Sequence, residues 1–174
     1  MSDPEIGTVV ETSGYRTNVH DQGEGKPVVL LHGSGAGVSA WANWRNLIPK
    51  LSDRYRVLAP DLAGFGYTEI PDDFEFRFMA TWIEQLEALL DALGIRSAHW
   101  VGNSFGGALT LWMAAQRPDL CDRQTLAMAS LNHGVNDLCH RDTALCIQQR
   151  RRTAPGERHV PTRHAIHAGH RPGG

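Results

Sequence analysis

The sequence predicts a doubly wound α/β fold, in which helices cover both faces of a mainly parallel sheet. Three observations favour this class: strand-like segments alternate with helix-like ones, the strand-like segments are continuous apolar runs, and two of them end in glycine-rich turns. Continuous apolar runs are typical of strands buried on both faces, and alternation with helices implies right-handed crossovers between parallel strands. For 174 residues, of which 41% are hydrophobic, we expect one globular core.

A hairpin and a first strand–helix pair are predicted at the start of the chain. Residues 7–12 and 15–21 alternate in polarity and should form strands joined at Ser13-Gly14. Residues 27–32 are β-branched and leucine-rich and end in a glycine cluster, which predicts a buried strand. Residues 41–51 follow with the pattern of a helix.

Two further strand–helix pairs complete the predicted core. Each strand is a short apolar run, and the two helices are ended by Gly94 and before Pro118. In an open parallel sheet, functional groups gather beyond the carboxyl ends of the strands, so the turns after these strands are the place to look for chemistry. The pairs comprise residues 55–60 with 78–93, and residues 98–101 with 104–116.

Ser104 is the predicted nucleophile, because it stands in the turn Gly102-Asn103-Ser104-Phe105-Gly106 between a predicted strand and a predicted helix. A serine on such a tight turn projects its hydroxyl above the sheet, and the strained backbone tolerates only small residues two positions before and after it. The following helix also points free N–H groups at the site. The alternative is an ordinary capping serine in a glycine-rich loop.

The turn His32-Gly33-Ser34-Gly35-Ala36-Gly37 has a matching role. An oxyanion hole needs two backbone N–H groups, one after the nucleophile and one from the loop after an earlier strand, which predicts the amides of Phe105 and Ser34. The alternative is a phosphate-binding loop. However, the glycine spacing of this turn is not that of a dinucleotide fingerprint, and the turn lacks the lysine of a nucleotide-binding loop.

Together these motifs resemble the meta-cleavage product hydrolases of the α/β-hydrolase superfamily, over roughly the first two-thirds of the chain. The resemblance implies the N-terminal part of an α/β-hydrolase, with a doubly wound, mainly parallel sheet. It implies hydrolysis of the carbon–carbon bond of 2-hydroxy-6-oxodienoates such as 2-hydroxymuconate semialdehyde, after ketonisation, with no cofactor and no metal. The matching segments are residues 15–20, 31–35, 39–44, 55–61, 64–66 and 101–107.

The resemblance also implies roles for five residues. Ser104 matches the family nucleophile, and the amides of Ser34 and Phe105 match its oxyanion hole. The side chains of Asn43 and Asn103 match polar groups that hold the dienoate, although Asn43 could equally be a solvated helix residue. A carboxylesterase or lactonase would use the same serine, whereas haloalkane dehalogenases and epoxide hydrolases need an aspartate in its place.

The composition changes near residue 120, which divides the chain into a predicted core, residues 1–120, and an atypical tail, residues 121–174. The tail contains all three cysteines and six of the nine histidines, and from Leu138 it has seven arginines against Asp142 and Glu157. Apolar periodicity fades there, and no buried strand is predicted. We expect the tail to be foreign sequence and disordered. A shifted reading frame is the simplest origin, with truncation and fusion as variants.

A serine nucleophile needs a histidine to take its proton and a carboxylate to orient that histidine. In this fold both follow the serine, from loops after later strands. Asp137 or Asp142 with a later histidine keeps that order, but the strands that would position them are not predicted. We therefore expect the triad Asp and His to be missing and the chain as written to be a non-catalytic fragment.

The remaining features of the tail indicate no further site. Arg150-Arg151-Arg152 is a short charge cluster, so no nucleic-acid partner is expected. The spacing of the tail's cysteines and histidines fits no zinc pattern. The candidate ligands considered are Cys139, His140, Cys146, His164, His167 and His170.

Cellular context is predicted from the N-terminus and from the apolar runs. The acidic opening is unlike an export signal, and the longest clean apolar run, residues 28–31, is too short to span a bilayer. We expect a cytoplasmic protein with reduced thiols, no membrane partner and a small-molecule dienoate as its ligand. The sequence does not indicate an oligomeric state.

Overall fold

The computed structural model of the chain describes residues 3–127 and 144–147. The strands are β1 (Thr8–Thr12), β2 (Tyr15–Gln22), β3 (Lys26–Leu31), β4 (Tyr55–Pro60), β5 (Ala98–Asn103), β6 (Cys121–Ala127) and β7 (Ala144–Ile147). The helices are α1 (Ala40–Trp44), α2 (Ile48–Ser52), α3 (Ala80–Ala92) and α4 (Phe105–Gln116), followed by a 3₁₀ turn at Pro118–Leu120.

The strands form a seven-stranded sheet in the order β1-β2-β4-β3-β5-β6-β7. The four central strands, β4, β3, β5 and β6, run parallel, while β1, β2 and β7 pair antiparallel with their neighbours. This confirms the predicted doubly wound, mainly parallel sheet. Leu31 pairs with Gly102 and Asn103 pairs with Ala127, so the carboxyl ends of β3, β5 and β6 meet at one edge.

The two faces of β3 bury alternate side chains in different layers. Val29 and Leu31 pack into the cluster that contains the apolar residues of α3 and α4. Val28 and Leu30 pack into the opposite cluster, with Trp44 of α1. A strand covered on both faces needs apolar residues at every position, which is why residues 28–31 form an unbroken apolar run.

The single helix predicted over residues 41–51 is wrong, because the structure has two short helices there. Pro49 is the reason: it lies in the first turn of α2, and its ring excludes the helical position of the Arg45 carbonyl. The helix is therefore interrupted between Trp44 and Ile48. Both pieces still pack on the sheet, since Trp44 and Ile48 are fully buried.

The sheet continues past the boundary predicted at residue 120. Strand β6 lies beyond that residue and pairs in parallel with β5, and β7 pairs with β6 in turn. The sequence of β6 is CDRQTLA, whose polar residues hide it from a search for apolar runs. The division into core and tail stays a prediction. Among the tail candidates, Cys146 lies in β7, whereas the others, including Asp137, Asp142 and Arg150-Arg151-Arg152, lie outside the described residues.

Within the described ranges, no helix is long and apolar enough to cross a bilayer. The same ranges contain no cluster of three or more His, Cys, Asp or Glu side chains that could hold a metal ion.

Candidate active site

Ser104 lies in a strained turn at the sheet edge where the parallel strands end. It separates β5 from α4, its side chain is exposed, and its backbone has φ 51° and ψ −114°. A non-glycine residue at positive φ in this region costs about 1–3 kcal/mol and persists only where the surrounding structure enforces it. The turn thereby holds the Ser104 hydroxyl above the sheet, as expected for a nucleophile on a strand-to-helix turn.

Close backbone packing enforces this turn. A Cβ at Gly102 would overlap the carbonyl of Gly106, and a Cβ at Gly106 would overlap the carbonyls of Leu31 and His32. The start of α4 therefore lies directly against the ends of β3 and β5. The two glycines are required because backbone atoms occupy the space that any side chain would need.

The turn after β3 lies beside Ser104. A Cβ at Gly33 would be 3.4 Å from the Ser104 Cβ, so the two turns are separated by little more than the room for one methyl group. The Gly33 N–H donates to Asn43 Oδ1 at 3.0 Å and is therefore occupied. In the part of the chain that is described, the N–H groups of Ser34 and Phe105 donate no hydrogen bond. Both predicted oxyanion donors are thus available to a ligand.

Asn43 and Asn103 form a polar pair next to this turn. Asn103 Nδ2 donates to Asn43 Oδ1 at 3.1 Å, although the two residues are 60 positions apart in sequence. Asn43 is half-buried and bonded on two sides, so it is not merely a solvated helix residue. Asn103 is buried, and its Oδ1 has no partner among the described residues. A buried acceptor without a donor is costly, which favours a ligand hydroxyl or N–H there.

Asp61 connects the elements that carry these groups, and it was not singled out from the sequence. It is fully buried, and its carboxylate accepts from the Ala40 N–H at 2.6 Å, Asn18 Nδ2 at 2.8 Å and the Tyr67 N–H at 2.8 Å. Ala40 begins α1, the helix that carries Asn43. The available signal was a carboxylate directly after a buried strand.

None of the described histidines is hydrogen-bonded to Ser104. His32 is fully buried, its Nδ1 lies 2.7 Å from the Gly33 oxygen, and its Nε2 accepts the Leu62 N–H at 3.0 Å. Burial lowers the pKa of His32 and also that of His20, whose ring packs 5.2 Å from the ring of Trp41.

The third described histidine, His99, lies near the start of β5, opposite Val28 and away from the Ser104 edge. No triad base is therefore assigned within residues 3–127.

Aromatic side chains cluster around Phe105, the residue that follows Ser104. Phe105 packs edge-on against Trp82 with ring centroids 4.7 Å apart, and Phe76 packs on the same ring at 4.8 Å. Phe78 lies 6.2 Å from Phe105 and is 71% exposed. An exposed aromatic group beside a polar site is typical of a ligand-binding surface. Only Phe105 was selected from the sequence, and for its amide; the ring contacts were not predicted because they join segments that are separate in the chain.

The strain at Ser104 gives a stability prediction. Ser104→Gly removes the side chain that disfavours positive φ, so we expect the free energy of unfolding to rise by about 1 kcal/mol relative to Ser104→Ala, which retains the Cβ. Urea unfolding followed by tryptophan fluorescence measures the difference. Equal midpoints for the two variants would mean that the turn stores no strain.

Comparison with known proteins places these features in a family. The α/β-hydrolase fold family matches residues 26–162. The chain is 46% identical over 126 residues to a 2-hydroxymuconate semialdehyde hydrolase of Pseudomonas sp., covering 72% of this chain and 44% of that protein. It is 49% identical over 122 residues to a 2-hydroxy-6-oxo-2,4-heptadienoate hydrolase of Pseudomonas putida, covering 70% and 44%. The chain spans less than half the length of these relatives.

Solved structures give the same result. The chain matches a meta-cleavage product hydrolase from Pseudomonas fluorescens with a TM-score of 0.68 and 48% identity, covering 70% of this chain and 44% of that one. It matches a 2-hydroxy-6-oxo-6-phenylhexa-2,4-dienoate hydrolase from Rhodococcus sp. with a TM-score of 0.66 and 35% identity, covering 70% and 45%.

Proposed function

The chain belongs to the α/β-hydrolase fold family, and from this premise we propose that it is the nucleophile half of a hydrolase that cleaves the carbon–carbon bond of 2-hydroxy-6-oxodienoates. Ser104 is the nucleophile, the Ser34 and Phe105 amides form the oxyanion hole, and Asn43 with Asn103 binds the dienoate. No cofactor is needed. The observation that carries the proposal is the strained Ser104 turn with two unoccupied amides beside it.

The polarity of the site supports a substrate with two unlike ends. On one side, the unpartnered Asn103 Oδ1 can accept the hydrogen of a 2-hydroxyl group, and the amide of Asn43 can donate to a carboxylate. On the other side, Phe105, Phe76 and Phe78 offer an apolar surface to the group attached to the 6-oxo carbon. A simple ester would make no use of the asparagine pair.

The proposed chemistry follows from these positions. After ketonisation of the substrate, Ser104 Oγ attacks the 6-oxo carbonyl, and the negative charge that develops on its oxygen is stabilised by the Ser34 and Phe105 N–H groups. Collapse of this intermediate breaks the adjacent carbon–carbon bond. The electron pair leaves on the dienol fragment, which is protonated, and water releases the acyl group from Ser104. A base must take the Ser104 proton in the first step.

The test is spectrophotometric. DNA sequencing across codons 115–130 identifies any frame change, and a protein with the frame-restored second half is then given 2-hydroxymuconate semialdehyde. Loss of the yellow absorbance is expected, with Ser104→Ala as the inactive control. Absence of bleaching under all conditions contradicts the dienoate assignment. Faster turnover of nitrophenyl esters than of dienoates would indicate a carboxylesterase or lactonase instead.

The 174-residue chain itself is expected to show no turnover. We expect the short chain to lack a base that takes the Ser104 proton, so Ser104 should react with a fluorophosphonate at least about 100-fold more slowly than in the frame-restored protein, since general-base catalysis contributes roughly that factor or more. Mass spectrometry of the labelled peptide measures the rate, and Ser104→Ala corrects for background. Labelling of the short chain at the full rate would show that it contains a functional base.

The origin of the tail stays a proposal. A frame change between codons 115 and 130 would account for the arginine- and histidine-rich composition that follows. The family match extends to residue 162, and β6 is integrated in the sheet. If sequencing finds no frame change, fusion or divergence would replace this explanation.

A further inference from the structure

His32 connects the turn beside Ser104 to the loop after β4. Its ring is fully buried and contacts a backbone group on each side, the Gly33 carbonyl at 2.7 Å and the Leu62 N–H at 3.0 Å. Phe65 packs edge-on against the same ring with centroids 5.4 Å apart. Both ring nitrogens are therefore occupied, and the proposed chemistry leaves this buried histidine without a role.

The two contacts fix the tautomer of His32. The Leu62 N–H can only donate, so Nε2 must carry a lone pair. In a neutral imidazole the proton then lies on Nδ1, which donates to the Gly33 carbonyl oxygen. Burial lowers the pKa of His32 and so favours this neutral form.

The donor on Nδ1 acts on the peptide group that contains the Ser34 amide. In a planar trans peptide, the C=O of one residue and the N–H of the next point in opposite directions. Holding the Gly33 carbonyl toward His32 therefore directs the Ser34 N–H, which lies in the same peptide plane, away from His32. Asn43 Oδ1 fixes the preceding N–H of Gly33, so the turn is restrained at both of these peptide groups.

We propose that His32 is a positioning residue that orients the Ser34 N–H for the oxyanion formed at Ser104. The inference rests on the proposed role of Ser34 and extends it by assigning what holds that amide in place. Such restraint has catalytic value because an oxyanion donor is effective only when it is oriented before the charge develops.

Two substitutions separate positioning from simple structural support. In His32→Asn, the side-chain amide nitrogen is as many bonds from Cβ as Nδ1 and can still donate to Gly33. In His32→Gln, the side-chain oxygen is as many bonds from Cβ as Nε2 and can still accept from Leu62, but the donor to Gly33 is lost. Each variant removes one of the two contacts, so both should lose stability to a similar degree.

The experiment uses the full 174-residue chain and no dienoate, so failure of the substrate assignment leaves it unaffected. In the wild type, ¹⁵N NMR should show His32 protonated on Nδ1 and not on Nε2. The Ser34 amide resonance should persist in His32→Asn and shift in His32→Gln. Fluorophosphonate labelling of Ser104, measured at large reagent excess, should fall at least about tenfold further in His32→Gln than in His32→Asn.

An Nε2-protonated His32 in the wild type overturns the proposal whether or not the variants fold. Equal changes in the Ser34 resonance and in labelling for both variants, in proportion to their stability loss, would show that His32 is only a structural residue. If labelling is too slow to measure, the tautomer and the Ser34 resonance decide the question.

Discussion

Asp61→Ala is expected to lower the free energy of unfolding by about 3–5 kcal/mol, because three donors, two of them in buried hydrogen bonds, lose their acceptor and each buried unsatisfied group costs about 1–3 kcal/mol. The donors are the Ala40 and Tyr67 N–H groups and the Asn18 side chain. They belong to α1, β2 and the loop after β4, so one substitution loosens three elements. For a domain of marginal stability, this loss is large enough to prevent folding at 37 °C. Urea unfolding at 15 °C measures it.

Asp61→Asn is the matched control for this prediction. The amide keeps one acceptor oxygen and nearly the same volume, but its NH₂ group must face one of the donors. We expect a smaller loss than for Asp61→Ala, because the amide oxygen can take the place of Oδ2, which accepts from both Tyr67 and Asn18, and leave the remaining defect at the Ala40 N–H. If alanine and asparagine cost the same, then negative charge, which both variants lose, and not the number of accepted hydrogen bonds, is what Asp61 contributes.

The sequence predicts the strands and the tight turn at Ser104 well because these depend on local patterns. A strand buried on both faces must be apolar where it is covered, as residues 28–31 are, and a turn as tight as that of Ser104 must have glycines two positions on either side of the serine. Both requirements act within a few consecutive residues. The order of the parallel strands then follows from general rules of chain crossover.

The features that were missed depend on contacts between distant segments. The Asp61 carboxylate bonds residues 43 and 21 positions away, and local patterns carry no record of such pairs. The contact of His32 with the Leu62 N–H, 30 positions away, and the packing of Phe105 on Trp82 are of the same kind. Strand β6 was missed for another reason: its position in the sheet comes from pairing with β5, while its own sequence is largely polar.

Gly106→Ala is expected to destabilise the chain by about 3 kcal/mol, at the upper end of the usual cost of overpacking. Helix propensity alone predicts the opposite, a gain of about 1 kcal/mol, because alanine is the better helix former and residue 106 lies in the first turn of α4. Packing should dominate, since the new Cβ would overlap the carbonyls of Leu31 and His32. Backbone atoms of a central strand cannot move aside without breaking the sheet.

The same substitution should also displace the nucleophile. To relieve the overlap, α4 must move away from β3 and carry Ser104 and the Phe105 amide with it, so labelling of Ser104 should fall together with stability. Gly35→Ala is the matched control in the neighbouring turn, because its Cβ would meet no atom within 4 Å. Calorimetry and fluorophosphonate labelling should show little change for it. A Gly106→Ala chain as stable as Gly35→Ala would mean that the contact between α4 and β3 is not what enforces the strained turn.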